Sequence, residues 1–175
     1  MNQNEQPRPE GLTIIEEAIT PERELDMLGL VLAVLASTSK QDNHERSRVR
    51  RYGWSYLGSE WLGAAPGGLY PPQVERAAFD SVTVNEYPPG HGIGPHLDSG
   101  LFGEPVWVLG LGCSATMRLF EPNQEGTVWE YRFRFEPRTL VGLAGAARWA
   151  AWHALEPDNI NTRWSVVYRR RKPQV

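Results

Sequence analysis

One cysteine, Cys113, stands in a chain of 175 residues. That scarcity rules out an internal disulfide and gives no support for a secreted, cross-linked scaffold. Long apolar runs are missing as well. The longest, Leu25 to Ala36, contains an acidic residue and is shorter than a membrane span. No sign of charge dominates: the formal net charge is −3, which does not advertise a nucleic-acid binder. The opening "MNQNEQPRPEG" has neither the basic nor the apolar region of a signal peptide. Internal repeats and low-complexity segments are absent too. What remains is ordinary globular material, 41% hydrophobic and 22% charged, enough for one buried core. The expectation is a soluble, intracellular protein, cytoplasmic or nuclear, with no membrane association.

Residues 1–10 read as a disordered lead and 11–175 as a single domain. "LTIIEEAI" reads as a short strand, and Thr20-Pro21-Glu22 as a helix start: a capping hydroxyl, proline in the first turn and an acid beside the dipole. The helix should run to about Ser37. Residues 40–75, polar and basic first, then rich in aromatics, Gly and Pro, resemble a long structured loop or lid. From residue 81 the pattern changes to "SVTVNEY", "PVWVLGLG", "ATMRLFE", "TVWEYRFRFE", "RTLVGLAG" and "RWSVVYRR". These are β-branched or aromatic runs between turn residues. In "WEYRFRF" the alternation puts Trp129, Tyr131, Phe133 and Phe135 on one face. Such spacing predicts a mainly β sandwich or jelly-roll barrel, with the helix packed outside. The closing "RRRK" reads as a solvated tail.

Chemistry concentrates in "GPHLDSG". On extended backbone, residues two apart share a face, so His96 and Asp98 either decorate a turn or project together. A further strand of a closed barrel could add His153, which lies in the apolar "AAWHALEP". Two imidazoles and one carboxylate would form the facial set of non-haem iron sites, with positions left open. The alternative for His153 is a satisfied core histidine. His91, between glycines, and His44, in the polar segment, carry no such pattern. Arg163 and Arg169 also share a face on a regular strand, with Ser165 and Val167 between them. Buried guanidinium groups need anionic partners, and their fork suits a carboxylate. Ion pairs on an outward face are the other possibility. Thr83, Asn85 and Tyr87 share a face and offer an amide and a phenol to the same ligand.

Together, "VNEYPPGHGIGPHLDSG", "VLGLGCSATMRLFEP", "EPRTLVGLAGAARWAAWH" and "RWSVVYRR" resemble the AlkB family of iron(II)- and 2-oxoglutarate-dependent dioxygenases. Within it they are most similar to the eukaryotic branch that includes tRNA wobble-uridine hydroxylases. The resemblance covers nearly all of residues 80–170 and implies a double-stranded β-helix (jelly-roll) barrel. It also implies that His96, Asp98 and His153 are catalytic iron ligands. Asn85, Tyr87, Arg163 and Arg169 match the positions that bind the cosubstrate 2-oxoglutarate. Fe(II), 2-oxoglutarate and O2 are the implied cofactors, and hydroxylation or demethylation of a substrate C–H the implied reaction. Val167, where relatives often have threonine, and the short segment between His153 and Arg163 depart from the pattern.

The barrel's loops should carry substrate contacts. Arg50, Arg51, Tyr52 and Trp54 suit phosphates and stacked bases, as does nearby Tyr56. They would suit a solvated, partly buried face equally well. RNA or tRNA is the expected partner, with a second protein chain supplying any further RNA binding. The glycines around His96 and Asp98 are expected to leave room for substrate. Trp149 and Trp152 are expected in the core or pocket wall, and Cys113 as a small buried residue. Three rivals remain at this level: an oxygenase of protein or lipid, which the acidic balance favours; a silent binding scaffold; and a cupin-like isomerase, which would need neither arginine pair nor N-x-Y.

Overall fold

The computed structural model describes residues 7–37, 48–57, 60–123 and 126–173. Its strands are β1 (Leu12–Ile15), β2 (Val49–Gly53), β3 (Ser81–Tyr87), β4 (Ile93–His96), β5 (Val106–Leu111), β6 (Ala115–Asn123), β7 (Gly126–Phe135), β8 (Leu140–Leu143), β9 (Trp152–Leu155) and β10 (Arg163–Arg169). Two α-helices accompany them, α1 (Pro21–Ala36) and α2 (Gly145–Trp149). A six-stranded sheet runs β1-β8-β5-β10-β3-β2 and a four-stranded sheet β4-β9-β6-β7. Neighbouring strands are antiparallel. The architecture is a jelly roll.

Period-two alternation divides the large sheet into two unlike faces. Val82 and Val84 of β3, Leu109 and Leu111 of β5, and Val166 and Tyr168 of β10 point to one side. There they meet Met27, Val31 and Leu35 of α1 in one core. Burying each of these side chains contributes roughly 1.5–3 kcal/mol. The helix begins where the sequence places it, with the Thr20 side chain accepting from the Arg23 N–H. Glu24 lies on its buried stripe, and the carboxylate accepts from Gly112 N–H and from Arg138. That pairing ties α1 to two turns of the barrel and offsets the cost of burying a charge.

The opposite face looks into the barrel. Val108, Val141, Leu143 and Val167 meet Ala115, Met117 and Leu119 of β6 and Phe135 of β7, with Trp129, Tyr131 and Phe133 against the same cluster. The alternation expected for "WEYRFRF" is therefore the one observed. Its outward residues pair with charges, Glu130 with Arg118 and Arg134 with Asp158.

Four expectations change. The lead was taken through residue 10, but Pro7 O accepts from the Trp129 indole and Glu10 O from Ala147 N–H; residues 1–6 lie outside the described residues. Of the expected lid at 40–75, residues 49–53 form β2, paired along β3. Ala65, Leu69 and Val74 are buried in the core beneath α1 rather than over the cavity. His44 lies outside the described residues. The "RRRK" tail is not merely solvated: Arg169 is buried, Arg171 bridges Phe102, and Lys172 N–H donates to Leu101 O. Finally, β2, β4 and β9 were not read as strands, being short and interrupted by glycine, proline or charge.

Candidate active site

A cavity of about 200 Å3 opens between the sheets. Its wall includes His96, Asp98, His153, Thr83, Asn85, Tyr87, Arg163, Ser165, Val167 and Arg169, which the sequence had set on shared faces. Strand β4 ends on His96, and its register with β9 puts His96 opposite His153. The approach depends on Gly92, where a Cβ would stand 1.9 Å from the carbonyl oxygen of Leu155. At Gly94 and Gly100 a Cβ would meet nothing within 4 Å, so the close fit lies at the strand pairing and not beside Asp98.

The two imidazole rings are 4.2 Å apart between centroids. Ligand-type atoms of His96, Asp98 and His153 all lie within 4.8 Å of one another. His96 Nδ1 is 2.9 Å from Gly94 O; with the proton on that nitrogen, Nε2 keeps a free lone pair for a metal. Burial is the largest influence on His153 and lowers it to about 4, although the Asp98 charge opposes it. His153 is thus neutral at physiological pH, the form that ligates. For Asp98 burial works upward, and the Arg169 guanidinium with His153 outweighs it, holding the carboxyl at about 2. The donor set of two imidazoles and one carboxylate suits a divalent iron site with open positions.

The arginines that looked equivalent in sequence have different surroundings. Arg169 donates to Asp98 at 2.8 Å and to Thr83 at 3.3 Å, so its charge is already paired. Arg163, fully buried, uses Nη1 on the carbonyls of Cys113 and Phe135, while Nε and Nη2 have no hydrogen-bond partner among the described residues. Burial lowers it to about 10, which leaves it charged at neutral pH. A buried cation with two free donors is costly unless an anion completes it. A carboxylate from a ligand would complete it with two charge-assisted hydrogen bonds. Space for the guanidinium comes from Gly110, where a Cβ would lie 2.2 Å from Nη2. Across the β3–β10 register, Tyr87 faces Arg163 and Asn85 faces Ser165, whose hydroxyl accepts from the Asn85 amide at 3.2 Å. Burial raises the Tyr87 phenol, which stays protonated.

The expected substrate residues are split by strand alternation. Arg51 lines the cavity. Arg50 and Tyr52 pair with Val84 and Val82, and Tyr52 packs on the α1-side core. Trp54 meets Trp61 edge-on at 5.7 Å and does not line the cavity. Trp149 and Trp152 are 41% and 37% exposed and lie outside the cavity wall, against the expectation of core or wall. Trp149 instead sits under the Arg148 and Lys172 cations. Cys113 is buried, as expected.

One contributor was missed, and another, Tyr56, acts partly through a contact that was not foreseen. Arg148, fully buried in α2, donates to the carbonyls of Asp98, Ser99 and Phe102 and so fixes the loop that presents Asp98. An arginine inside the apolar "GAARWAAWH" was the available signal. Tyr56 lines the cavity, and its hydroxyl accepts from Ser99 N–H at 3.1 Å. Only tertiary packing reveals that contact.

With this geometry in view, comparison with known proteins is informative. No family model matches the chain. It is 29% identical over 167 residues to the Xenopus tropicalis "tRNA (carboxymethyluridine(34)-5-O)-methyltransferase alkbh8", covering 85% of this chain and 26% of that protein. The Mus musculus protein of the same name is 28% identical over 176 residues, covering 88% and 25%. The chain thus spans about a quarter of the length of these curated relatives. Among solved structures, OsALKBH1 superposes with a TM-score of 0.71 at 11% identity, covering 94% of this chain and 100% of that one. A Pseudomonas putida prolyl-4-hydroxylase gives 0.61 at 13% identity, covering 93% of each. These likenesses support an AlkB-family affiliation. The barrel shares the fold of these two solved structures, a double-stranded β-helix, and the cavity described above lies between its two sheets. Among the described residues, no helix is long and apolar enough to cross a membrane.

Proposed function

We propose that residues 11–175 form one oxygenase domain that uses iron(II), 2-oxoglutarate and dioxygen to oxidise a C–H bond on a modified nucleic-acid base, with tRNA wobble uridine as the leading substrate. The observation that carries this reading is the meeting, in one cavity, of the His96–Asp98–His153 donor set with the unpaired guanidinium of Arg163. His96, Asp98 and His153 would hold the iron. Arg163 would take a cosubstrate carboxylate, with Asn85 and Tyr87 hydrogen-bonding beside it and Arg169 keeping Asp98 ionised. Iron bound there supplies hydroxylation of a C–H bond coupled to oxidative decarboxylation of 2-oxoglutarate to succinate and carbon dioxide. The chain's own part is to orient and to exclude water. Arg148 fixes the Asp98 loop, and Val108, Met117 and Leu155 give the wall its apolar portion. Arg51 and Tyr56 line the cavity and would contact the entering substrate.

The curated relatives are named for methyl transfer to a tRNA uridine. Only about a quarter of each is matched here, and the matched stretch folds as a jelly-roll barrel. Support for RNA therefore comes from their shared tRNA context. The test is succinate release from 2-oxoglutarate by anaerobically iron-loaded protein, exposed to air with and without total tRNA. Succinate that requires iron and is lost in His96→Ala, and that rises with tRNA, is the expected result. Turnover indifferent to tRNA would move the substrate to protein or lipid. Iron-loaded protein that releases no succinate would leave a binding scaffold.

A further inference from the structure

One residue beyond Arg169, which lines the cavity, the chain enters a second depression of about 610 Å3. Arg170, Arg171, Lys172, Trp54 and Asp80 line it. The backbone here is held in place: Gly103 N–H donates to Arg170 O at 2.9 Å and Lys172 N–H to Leu101 O at 2.9 Å. Arg171 lies 4.1 Å from the Trp54 ring centroid, and Lys172 Nζ lies 4.2 Å from that of Trp149. Trp149 is 41% exposed. The nearby carboxylates are held by N–H groups rather than by the three cationic side chains. Asp80 accepts from the backbone N–H of Arg171, and Glu104 from the Trp149 indole and Gly145 N–H. Among the described residues, no ion pair includes the side chain of Arg170, Arg171 or Lys172.

We infer that Arg170, Arg171 and Lys172, with Trp54 and Trp149, form a docking track for single-stranded RNA beside the cavity. This rests on the proposed RNA substrate and deepens it. Three successive cations without carboxylate partners suit a run of phosphates. The indoles seat these cations, Trp54 under Arg171 and Trp149 under Lys172 and Arg148, and so hold the charges in place for phosphates. An acidic peptide would use the same cations; the proposed RNA substrate favours the phosphate run. A base taken into the cavity must leave its stack, which favours an unpaired strand. The hydrogen-bonded backbone keeps the ordering cost of binding low. A simple solvated tail would explain the charges alone; it would not explain their placement over two tryptophans on a pinned backbone.

The test is fluorescence anisotropy of the full chain with a labelled oligouridylate of roughly 12 nucleotides, within the usual range of single-strand site sizes. The double variant Arg170→Ala, Lys172→Ala should weaken binding about tenfold or more and reduce the salt slope by about 1.4, two single-strand phosphate contacts. Arg170→Lys should keep the slope. Trp149→Ala should weaken binding less than the double variant, by about twofold to fivefold, because Lys172 loses the ring that seats it. Parental affinity and slope in the double variant would overturn the track. So would polyglutamate displacing the RNA as well as polyuridylate does, which would assign the surface to acidic peptides. Succinate release without RNA, measured on the same preparations, separates this from the proposed function. Turnover with no RNA binding by the parent sinks the track alone; RNA binding that depends on these residues, without turnover, sinks the oxygenase alone.

Discussion

The two faces of the six-stranded sheet are made by the same strands and obey opposite rules. Toward α1, Val82, Val84, Val166 and Tyr168 close a core in which the one buried helical carboxylate, Glu24, is hydrogen-bonded. Toward the barrel interior, Thr83, Asn85, Arg163, Ser165 and Arg169 line an open cavity, and Arg163 retains two unpartnered donors. Among the described residues, the α1-facing side leaves only single donors unpaired, Nε of Arg50 and of Arg138, where Arg163 leaves two on one guanidinium. A face that awaits a ligand leaves some of them unsatisfied, at a cost in stability.

Substitution on the cavity side should therefore separate binding from folding. The largest effect is expected for Asp98→Asn. It removes the carboxylate of the donor set while keeping its shape, so iron or manganese binding by titration calorimetry should fall more than 100-fold, beyond the usual loss for a supporting residue. Metal affinity within a few-fold of the parent would remove Asp98 from the donor set. Arg163→Leu is the sharper test of the comparison. Losing two charge-assisted hydrogen bonds should weaken 2-oxoglutarate binding by about 100-fold. Thermal stability of the metal-free protein should hold or rise, because a buried, partly unpaired cation has been replaced by apolar volume. A large drop in melting temperature would show that Arg163 chiefly supports the fold through the Cys113 and Phe135 carbonyls.

The α1-facing side should respond in the opposite sense. Leu109, fully buried there, leaves a cavity when shortened to alanine and should lose about 2–5 kcal/mol in denaturant unfolding. At temperatures where the variant remains folded, its affinity for 2-oxoglutarate should match the parent's. Equal damage to binding would mean that the faces are mechanically coupled across the sheet.

Those opposite faces were legible in the sequence wherever a strand was long and regular. "SVTVNEY" and "RWSVVYRR" alternate without interruption, so Asn85, Tyr87, Arg163 and Arg169 could be assigned to one side before any coordinates. The helix start was equally clear, since Thr20 and Pro21 act within a single turn. Legibility failed where long-range packing decides. Short strands such as β4 and β9 exist because each pairs with the other and with β6, and neither has a pattern of its own. The tryptophans beside His153 were expected inside because tryptophan is usually well buried. Cations from α2 and the C-terminal segment cover Trp149 instead. The inequality of Arg163 and Arg169 was invisible for the same reason: what distinguishes them is Asp98, distant in sequence and 2.8 Å away in space.

The smallest effect concerns His153, where burial lowers the folded value from 6.5 to about 4. In the metal-free protein the unfolded chain binds a proton near pH 6.5 while the folded chain resists it until about pH 4. Between those values the unfolded state holds more protons, so stability must fall as pH falls, with a slope approaching about 1.4 kcal/mol per pH unit from this group. Below about pH 4 both states are protonated at this site and its contribution is flat. Urea midpoints measured across that window, with a chelator present, should drop more steeply for the parent than for His153→Gln. Parallel curves would mean that the imidazole is no harder to protonate in the fold than in the open chain, and would remove burial as the cause. Added metal should steepen the parent's fall and leave the variant's nearly unchanged, because protons then compete with the ion for the same nitrogen. A site that merely buried its histidine would show the first slope without the second.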